Sequence, residues 1–266
     1  MKNSILSQLN AECPWRDTLL WFDTIDSTNT HAKQLAAQGA PHGTVLLAGQ
    51  QTGGRGRMGR SFSSPAGKGL YLSVILRPHC KAEELMHLTC AAAVAACNAV
   101  ETVSGFRPDV KWINDLIAND RKLGGILTEL SIAPDTGLVN YAIIGIGINC
   151  SQTPEDFPDD IRHIAISLET ATGQSCNYPV LAATLIDQLA QICDRLLWKK
   201  AQIMVLYRRN CITLGKAVTV IRGEDAKSAT ALSVDESGGL LVQYDDGTEE
   251  TVSSGEVSIR GLMGYI

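Results

Sequence analysis

The chain has 266 residues, a formal net charge of −5 and 45% hydrophobic residues. That length holds one large domain and a small one, with a core that needs no covalent staples. The mild acidity argues against a general binder of nucleic acid or of a membrane surface. No apolar run reads as long enough to span a bilayer, and Met1-Lys2-Asn3-Ser4 opens no secretory signal. The 8 cysteines include no C-x-x-C, and the 5 histidines include no i, i+4 pair. The thiols therefore read as small hydrophobes of a reduced, cytoplasmic protein, and nothing points to a structural metal.

Residues 1–14 form a lead too short for a domain. Thr18 to Phe22 reads as a strand. Asp26-Ser27-Thr28-Asn29 is dense in N-cap residues, and Ala32, Leu35 and Ala36 follow at helical spacing before Gly39. On spacing alone, capping is the commoner role for Ser27, Thr28 and Asn29, although a helix start also presents donors to a ligand. Gly43 to Ala48 is an apolar strand that leads into Gln50–Ser61, where three arginines and four glycines share one short segment.

Gly54, Gly56 and Gly59 fit the spacing of a dinucleotide loop, and Gly54, Gly59, Arg60 and Ser61 nearly fit a P-loop. Both need a helix to start at the loop. Here Ser61–Gly69 is a poor helix start, and Leu70 to Leu76 reads as a returning strand. What remains is a mobile glycine loop of guanidinium groups, suited to carboxylate or phosphate. The plainer reading is a solvated surface loop.

Ala82 to Val103 reads as one long alanine-rich helix. Val110 to Ile113 and Leu116 to Ala118 read as short strands around Asn114-Asp115, and Asn119-Asp120 reads as a hairpin turn into a strand from Arg121 to Leu130. Asn114 and Asp115 could orient a hydrated magnesium, or could simply form a turn. Gly124 and Gly125 weaken their strand unless a ligand or another backbone comes close. Val139 to Asn149 is a buried strand in which Gly145 and Gly147 share one side and leave a flat shelf. That shelf suits a flat ring system, or tight packing against a helix.

Residues 151–166 read as loop, Ser167 to Thr172 as a helical turn ended by Gly173, and Asn177 as the cap of a long helix running to about Cys211. From Lys216 the pattern changes to short strands at 216–222, 227–234, 239–244, 248–252 and 256–260, a small β-barrel. The residues alone thus give an α/β domain with a basic glycine loop and a barrel behind it, and leave the substrate unread.

Five blocks resemble the biotin protein ligases, in the family's order. They are Ser27-Thr28-Asn29, Gln51-Thr52-Gly53-Gly54-Arg55-Gly56-Arg57, Lys111-Trp112-Ile113-Asn114-Asp115, Lys122 to Glu129, and Gly145 to Asn149. The resemblance implies an α+β fold: a mixed-sheet catalytic domain of the biotin/lipoate ligase, class II synthetase-like type over residues 1–213, and an SH3-like barrel over 214–266. It implies formation of biotinyl-5′-AMP from biotin and Mg-ATP, then transfer of biotin to a lysine of a biotin carboxyl carrier protein. By resemblance Lys122, Arg57 and Arg55 are catalytic. Ser27, Thr28, Asn29, Gln51, Arg55, Gly56, Arg57, Lys122, Gly145 and Gly147 take biotin. Arg57, Arg60, Phe62, Lys111, Trp112, Asn114 and Asn149 take the nucleotide, and Asp115 takes magnesium.

Three residues depart from the family's pattern: Ile113 stands for a usual proline, Met58 for an arginine and Phe62 for a tryptophan. Some members carry an N-terminal helix-turn-helix. The short lead cannot supply one, so the expectation is a monofunctional ligase that binds no nucleic acid. An exposed β edge could pair two copies. The rival readings are a lipoate ligase and a non-enzymatic biotin-binding or sensing protein.

Overall fold

The structure, a computed structural model, describes residues 1–253 and 258–261. Its larger sheet has seven strands in the order β1-β2-β3-β7-β6-β5-β4. These are β1 (Leu19–Phe22), β2 (Thr44–Ala48), β3 (Gly69–Leu76), β4 (Asp109–Lys111), β5 (Asp115–Ala118), β6 (Arg121–Ile132) and β7 (Val139–Asn149). Only β1 and β2 run parallel. A parallel pair needs a crossover, and helix α2 (Thr28–Ala37) supplies it. The Asn119-Asp120 turn takes positive φ at both residues, 48° and 58°, as the primed hairpin turn requires.

The two faces of the sheet are covered unequally. One carries α2, whose Ala32 and Ala36 pack on Leu46, Ile75 and Ile143. The other carries α3 (Leu88–Ser104), α5 (Tyr178–Asp194) and α6 (Lys200–Asn210), which with the strands form the main core. Burial on both faces explains why β3 reads as a near-continuous apolar run. A short α1 (Lys2–Leu6) seals the core edge with Ile5, which is fully buried. The remaining short helix, α4 (Leu168–Thr172), is capped by Ser167 and stopped by Gly173 at φ 71°.

Two helical expectations need correction. The run from Ala82 is a 3₁₀ turn (Ala82–Leu85) followed by α3. Glu84 reaches back to the Lys81 N–H at 2.9 Å and closes that turn on itself, while the fully buried His87 ring meets the Leu196 carbonyl at 2.9 Å. Ala82–Ser104 is also long and apolar enough to pass for a membrane span, contrary to the sequence reading, but two-thirds of its apolar window is spent inside the core. The helix from Asn177 ends at Asp194, not near Cys211. Leu196 turns inward, 3% exposed, and α6 starts afresh to pack back on α3.

The smaller sheet is five-stranded and antiparallel, in the order β11-β10-β9-β8-β12. Its strands are β8 (Ala217–Arg222), β9 (Asp225–Val234), β10 (Leu240–Tyr244), β11 (Glu249–Val252) and β12 (Ser258–Gly261). Residues 256 and 257 of the fifth expected strand lie outside the described residues. Val218, Val220, Ala229, Ala231, Leu240 and Val242 point inward and join the main core. The β9–β10 turn also meets the larger unit directly. Trp112 donates its indole N–H to the Gly238 carbonyl at 2.9 Å, and Arg208 donates to the Val234 carbonyl at 2.5 Å.

Candidate active site

A cavity of about 450 Å³ opens on the α2 face of the large sheet. Its base is set by strand register. Ser73, Gly145 and Leu127 pair in one row across β3, β7 and β6, and Tyr71, Gly147 and Gly125 pair in the next row of like-facing residues. Such rows lie two residues apart, about 7 Å along a strand.

The first row carries a polar floor. The N-terminus of α2 points here, with Ser27 as its cap accepting from the Thr30 N–H at 3.4 Å. Thr28 and Asn29 do more than cap. The Thr28 N–H and hydroxyl both donate to Gln51 Oε1, at 2.9 and 3.0 Å, and Gln51 Nε2 donates to Ser64 Oγ at 2.8 Å. Asn29 Oδ1 accepts from Ser73 Oγ at 2.6 Å, while Asn29 Nδ2 donates to Glu129 Oε2 at 3.0 Å and to the Leu127 carbonyl at 3.3 Å. Lys33 holds the other carboxylate oxygen of Glu129 at 2.8 Å.

Charge gathers beside the second row. Lys122 Nζ lies 2.7 Å from Asp115 Oδ1, and Asn114 Nδ2 donates to the same oxygen at 3.1 Å. Arg57 crosses from the glycine loop and donates to Asn114 Oδ1 at 2.9 Å. Burial pulls the Arg57 guanidinium below its ordinary value and the Arg60 charge adds to this, while Asp115 opposes it. The Lys122 main chain is clamped by residues 164–166: its N–H donates to the Ile164 carbonyl at 2.6 Å, and its carbonyl accepts from the Ile166 N–H at 2.9 Å. Asn149 Nδ2 spans the carbonyls of Lys122 and Ile166 at 3.4 and 3.1 Å.

The glycine loop is a small closed hairpin. Gly56 N–H donates to the Arg60 carbonyl at 2.7 Å, and Phe62 N–H to the Gly54 carbonyl at 2.9 Å. Met58 sits at its tip with φ 54°, 72% exposed. The shelf is not bare: Asn29 stands over Gly145, and the Phe62 ring lies on Gly147, where a Cβ would come within 2.5 Å of Phe62 Cε1. The packing reading of the shelf has its counterpart at Gly145, under the end of α2, while at Gly147 the space is taken by the protein's own Phe62 ring.

The structure brings every residue given a catalytic, ligand or metal role to this one cavity, from Ser27 at the cap of α2 to Asn149 at the end of β7. Trp112 has no donor left for a ligand, because its main-chain N–H and indole are both spent, on Thr213 Oγ1 and on the Gly238 carbonyl. Sequence reasoning missed Ser73 and Ser64 and the wall of Phe157, Ile161, Ile164 and Ala165, and gave Glu129, the last residue of the Lys122 to Glu129 block, no role. The one available signal was Ser73, a lone polar residue in an apolar strand.

A mixed sheet with a cationic, glycine-looped cavity at a helix N-terminus defines a class of enzyme that handles anionic acyl and phosphate groups. Residues 21–149 match the biotin/lipoate A/B protein ligase family, and residues 213–260 match the biotin protein ligase C-terminal domain. The bifunctional ligase/repressor BirA of Bacillus subtilis is 35% identical over 237 residues, covering 89% of this chain and 72% of that protein. The biotin–[acetyl-CoA-carboxylase] ligase of Mycobacterium tuberculosis is 31% identical over 96% of this chain and 94% of its own. Among solved structures, a biotin protein ligase from Aquifex aeolicus in complex with biotin and ATP superposes with a TM-score of 0.76 at 29% identity, covering 91% of this chain and 98% of that one. The chain belongs to the biotin/lipoate A/B protein ligase family. Its second domain sets it on the biotin side of that family rather than the lipoate side.

Proposed function

We propose that the chain is an ATP-dependent biotin protein ligase working in two steps. A carboxylate oxygen of biotin attacks the α-phosphorus of ATP, forming biotinyl-5′-AMP and releasing pyrophosphate. The ε-amine of a lysine on a biotin carboxyl carrier protein then attacks the acyl carbon, forming the amide and releasing AMP. The observation that carries this reading is the adjacency of an uncharged polar floor and a cationic wall on successive strand rows.

Both substrates are anions and repel each other, so fixed cations must offset charge as the phosphorus is attacked. In this reading Lys122 meets the carboxylate and the α-phosphate, with Asp115 and Asn114 holding its ammonium in place beforehand. Arg55 and Arg57 close over the intermediate. Ser27, Thr28, Asn29 and Gln51, with Gly56, Gly145 and Gly147, take biotin. Arg60, Phe62, Lys111, Trp112, Asn114 and Asn149 take the nucleotide. The mixed anhydride reacts with water, and an arginine-bearing loop with glycine hinges suits a cover over it.

Magnesium enters as part of the MgATP substrate. Asp115 is the one carboxylate lining the cavity among the described residues, and no cluster of three acidic, histidine or cysteine residues is found among them. That fits an ion held by one carboxylate, waters and phosphates. We further propose a division into a catalytic unit, 1–213, and a C-terminal unit, 214–266, and a cytoplasmic site of action, supported by the eight free thiols. Pairing of two copies through a sheet edge is part of the same proposal. Incubation with biotin, MgATP and a carrier domain, read by intact mass, tests the central claim. One biotinyl group should appear on the carrier only when both small substrates are present, and lipoate should not replace biotin. An unmodified carrier, with no pyrophosphate formed, overturns the reading and favours a sensor.

A further inference from the structure

Asn29 is the joint of the polar floor, and one of the two acceptors that orient it, Glu129, lies outside the cavity. An amide presents a carbonyl and an NH₂ of nearly equal shape, so its partners decide which way it faces. On the β6 side, Asn29 meets Glu129 Oε2 and the Leu127 carbonyl, both acceptors, at 3.0 and 3.3 Å. Its NH₂ must therefore turn to β6 and its Oδ1 to β3. Glu129 is itself gripped from α2 twice, one oxygen by Asn29 and the other by Lys33 at 2.8 Å. Asn29 and Lys33 are four residues apart, on one helix face.

The consequence runs along the floor. Oδ1 takes the single proton of the fully buried Ser73, at 2.6 Å. Thr28, whose hydroxyl lies 2.8 Å from Ser73 Oγ, directs its own donors to Gln51 Oε1. Gln51 then has its NH₂ committed to Ser64. The Thr28 N–H, which can only donate, fixes Gln51 locally; what Glu129, which does not line the cavity, helps to hold is the Asn29 amide and the Ser73 hydroxyl behind it.

We infer that Glu129 is a positioning residue for biotin: clasped by Lys33 and Asn29, it holds the Asn29 amide, and through it the Ser73 hydroxyl, in place behind the Thr28 and Gln51 groups on which the biotin ring is read. The inference rests on the ligase reading above. A carboxylate does this better than an amide because it has no donor to offer, so Asn29 has only one satisfied orientation.

Steady-state kinetics test it, with pyrophosphate release as the assay. Glu129→Ala should raise the KM for biotin by about tenfold or more. The KM for ATP and kcat at saturating biotin should stay near wild type, the pattern of lost uniform binding. Glu129→Gln, which keeps one acceptor, should recover most of the loss. A purely structural role would move both KM values and kcat together.

The acid limb gives an independent readout. Burial acts to raise the Glu129 carboxyl, but hydrogen bonds from Lys33 and Asn29 and the charges of Lys33 and Arg55 outweigh it, and the net shift is downward. Those two cations are the charged groups that face it; across the strand pair β7 offers Ile143. The floor should accordingly stay in order as pH falls through the ordinary carboxylate range and fail only below it. Lys33→Met removes the main opposing contact, so its acid limb in kcat/KM for biotin should move to higher pH, and Glu129→Gln should leave only the limb of biotin's own carboxyl, in the Lys33→Met background as well. This comparison decides the matter if the alanine variant does not fold. An unchanged biotin KM in folded Glu129→Ala, or an unmoved limb in Lys33→Met, overturns the inference. A wild-type protein that releases no pyrophosphate overturns the ligase reading instead.

Discussion

Gly145→Ala is the sharpest test of how the floor is built. An added Cβ would lie 2.7 Å from Asn29 Cγ and 2.9 Å from Asn29 Nδ2, and closer still to Oδ1. Non-bonded carbons sit at about 3.5–4.0 Å, so Asn29 must retreat by about 1 Å. That stretches its 2.6 Å bond from Ser73 to about 3.6 Å, beyond hydrogen-bonding range. Overpacking costs about 1–3 kcal/mol, and each lost bond adds about 1 kcal/mol. A loss of about 3 kcal/mol in unfolding free energy is expected, read from urea denaturation, with a raised KM for biotin beside it. Asn29→Ala on top of Gly145→Ala removes the obstructing amide. The second substitution should therefore give back about 1–3 kcal/mol as a coupling term. If Gly145→Ala costs under about 0.5 kcal/mol, or costs the same without the Asn29 amide, the floor is not assembled as described.

Three further outcomes are expected. Lys122→Ala should lower pyrophosphate release by about 10²–10³-fold while keeping the unfolding midpoint, since its pair with Asp115 is partly exposed; full activity would remove Lys122 from the chemistry. Arg57→Gly breaks the bond to Asn114, and biotinyl-5′-AMP should then escape about tenfold faster, measured by chasing labelled intermediate; an unchanged lifetime counts against a closing loop. Among the described thiols, a hydrogen bond from Cys150 pulls the Cys176 thiol down against its burial, while burial pushes Cys193 up to about 12. Cys176 should hence be alkylated first at mildly basic pH, and peptide mapping that finds Cys193 ahead of it refutes this.

Local chemistry that completes itself within a few residues was legible. Asn119-Asp120, Ser167 with Gly173 and the Asn177 cap need no distant partner, and each falls where the residues indicate. Gly145 and Gly147 on one face follow from the period of a strand. The helix break after Asp194 was hidden because its cause lies far off, in the His87 ring that takes the Leu196 carbonyl. Ser73 and Glu129 were hidden for the same reason, since their partners sit on α2, 44 and 100 residues away. Spacing already placed the best site where loop, lysine strand and shelf converge, with phosphate or carboxylate chemistry; only the identity of the ligands came from the family likeness, and the shared cavity follows from strand order β3-β7-β6-β5.

The hydrogen bond from Trp112 to Gly238 limits how freely the two units could be shuffled. Trp112, which lines the cavity, is held from behind by a carbonyl of the smaller sheet, delivered by a residue at φ 88°. A Cβ there would meet Cys90 Sγ and Ile113 Cδ1, each at 3.2 Å. A barrel grafted from elsewhere would need a left-handed residue of glycine size at that turn, or the indole would lose its acceptor. Chimeras joined only at the chain crossover ignore this weld, so exchange of the C-terminal unit should carry a penalty that reaches the adenylation step.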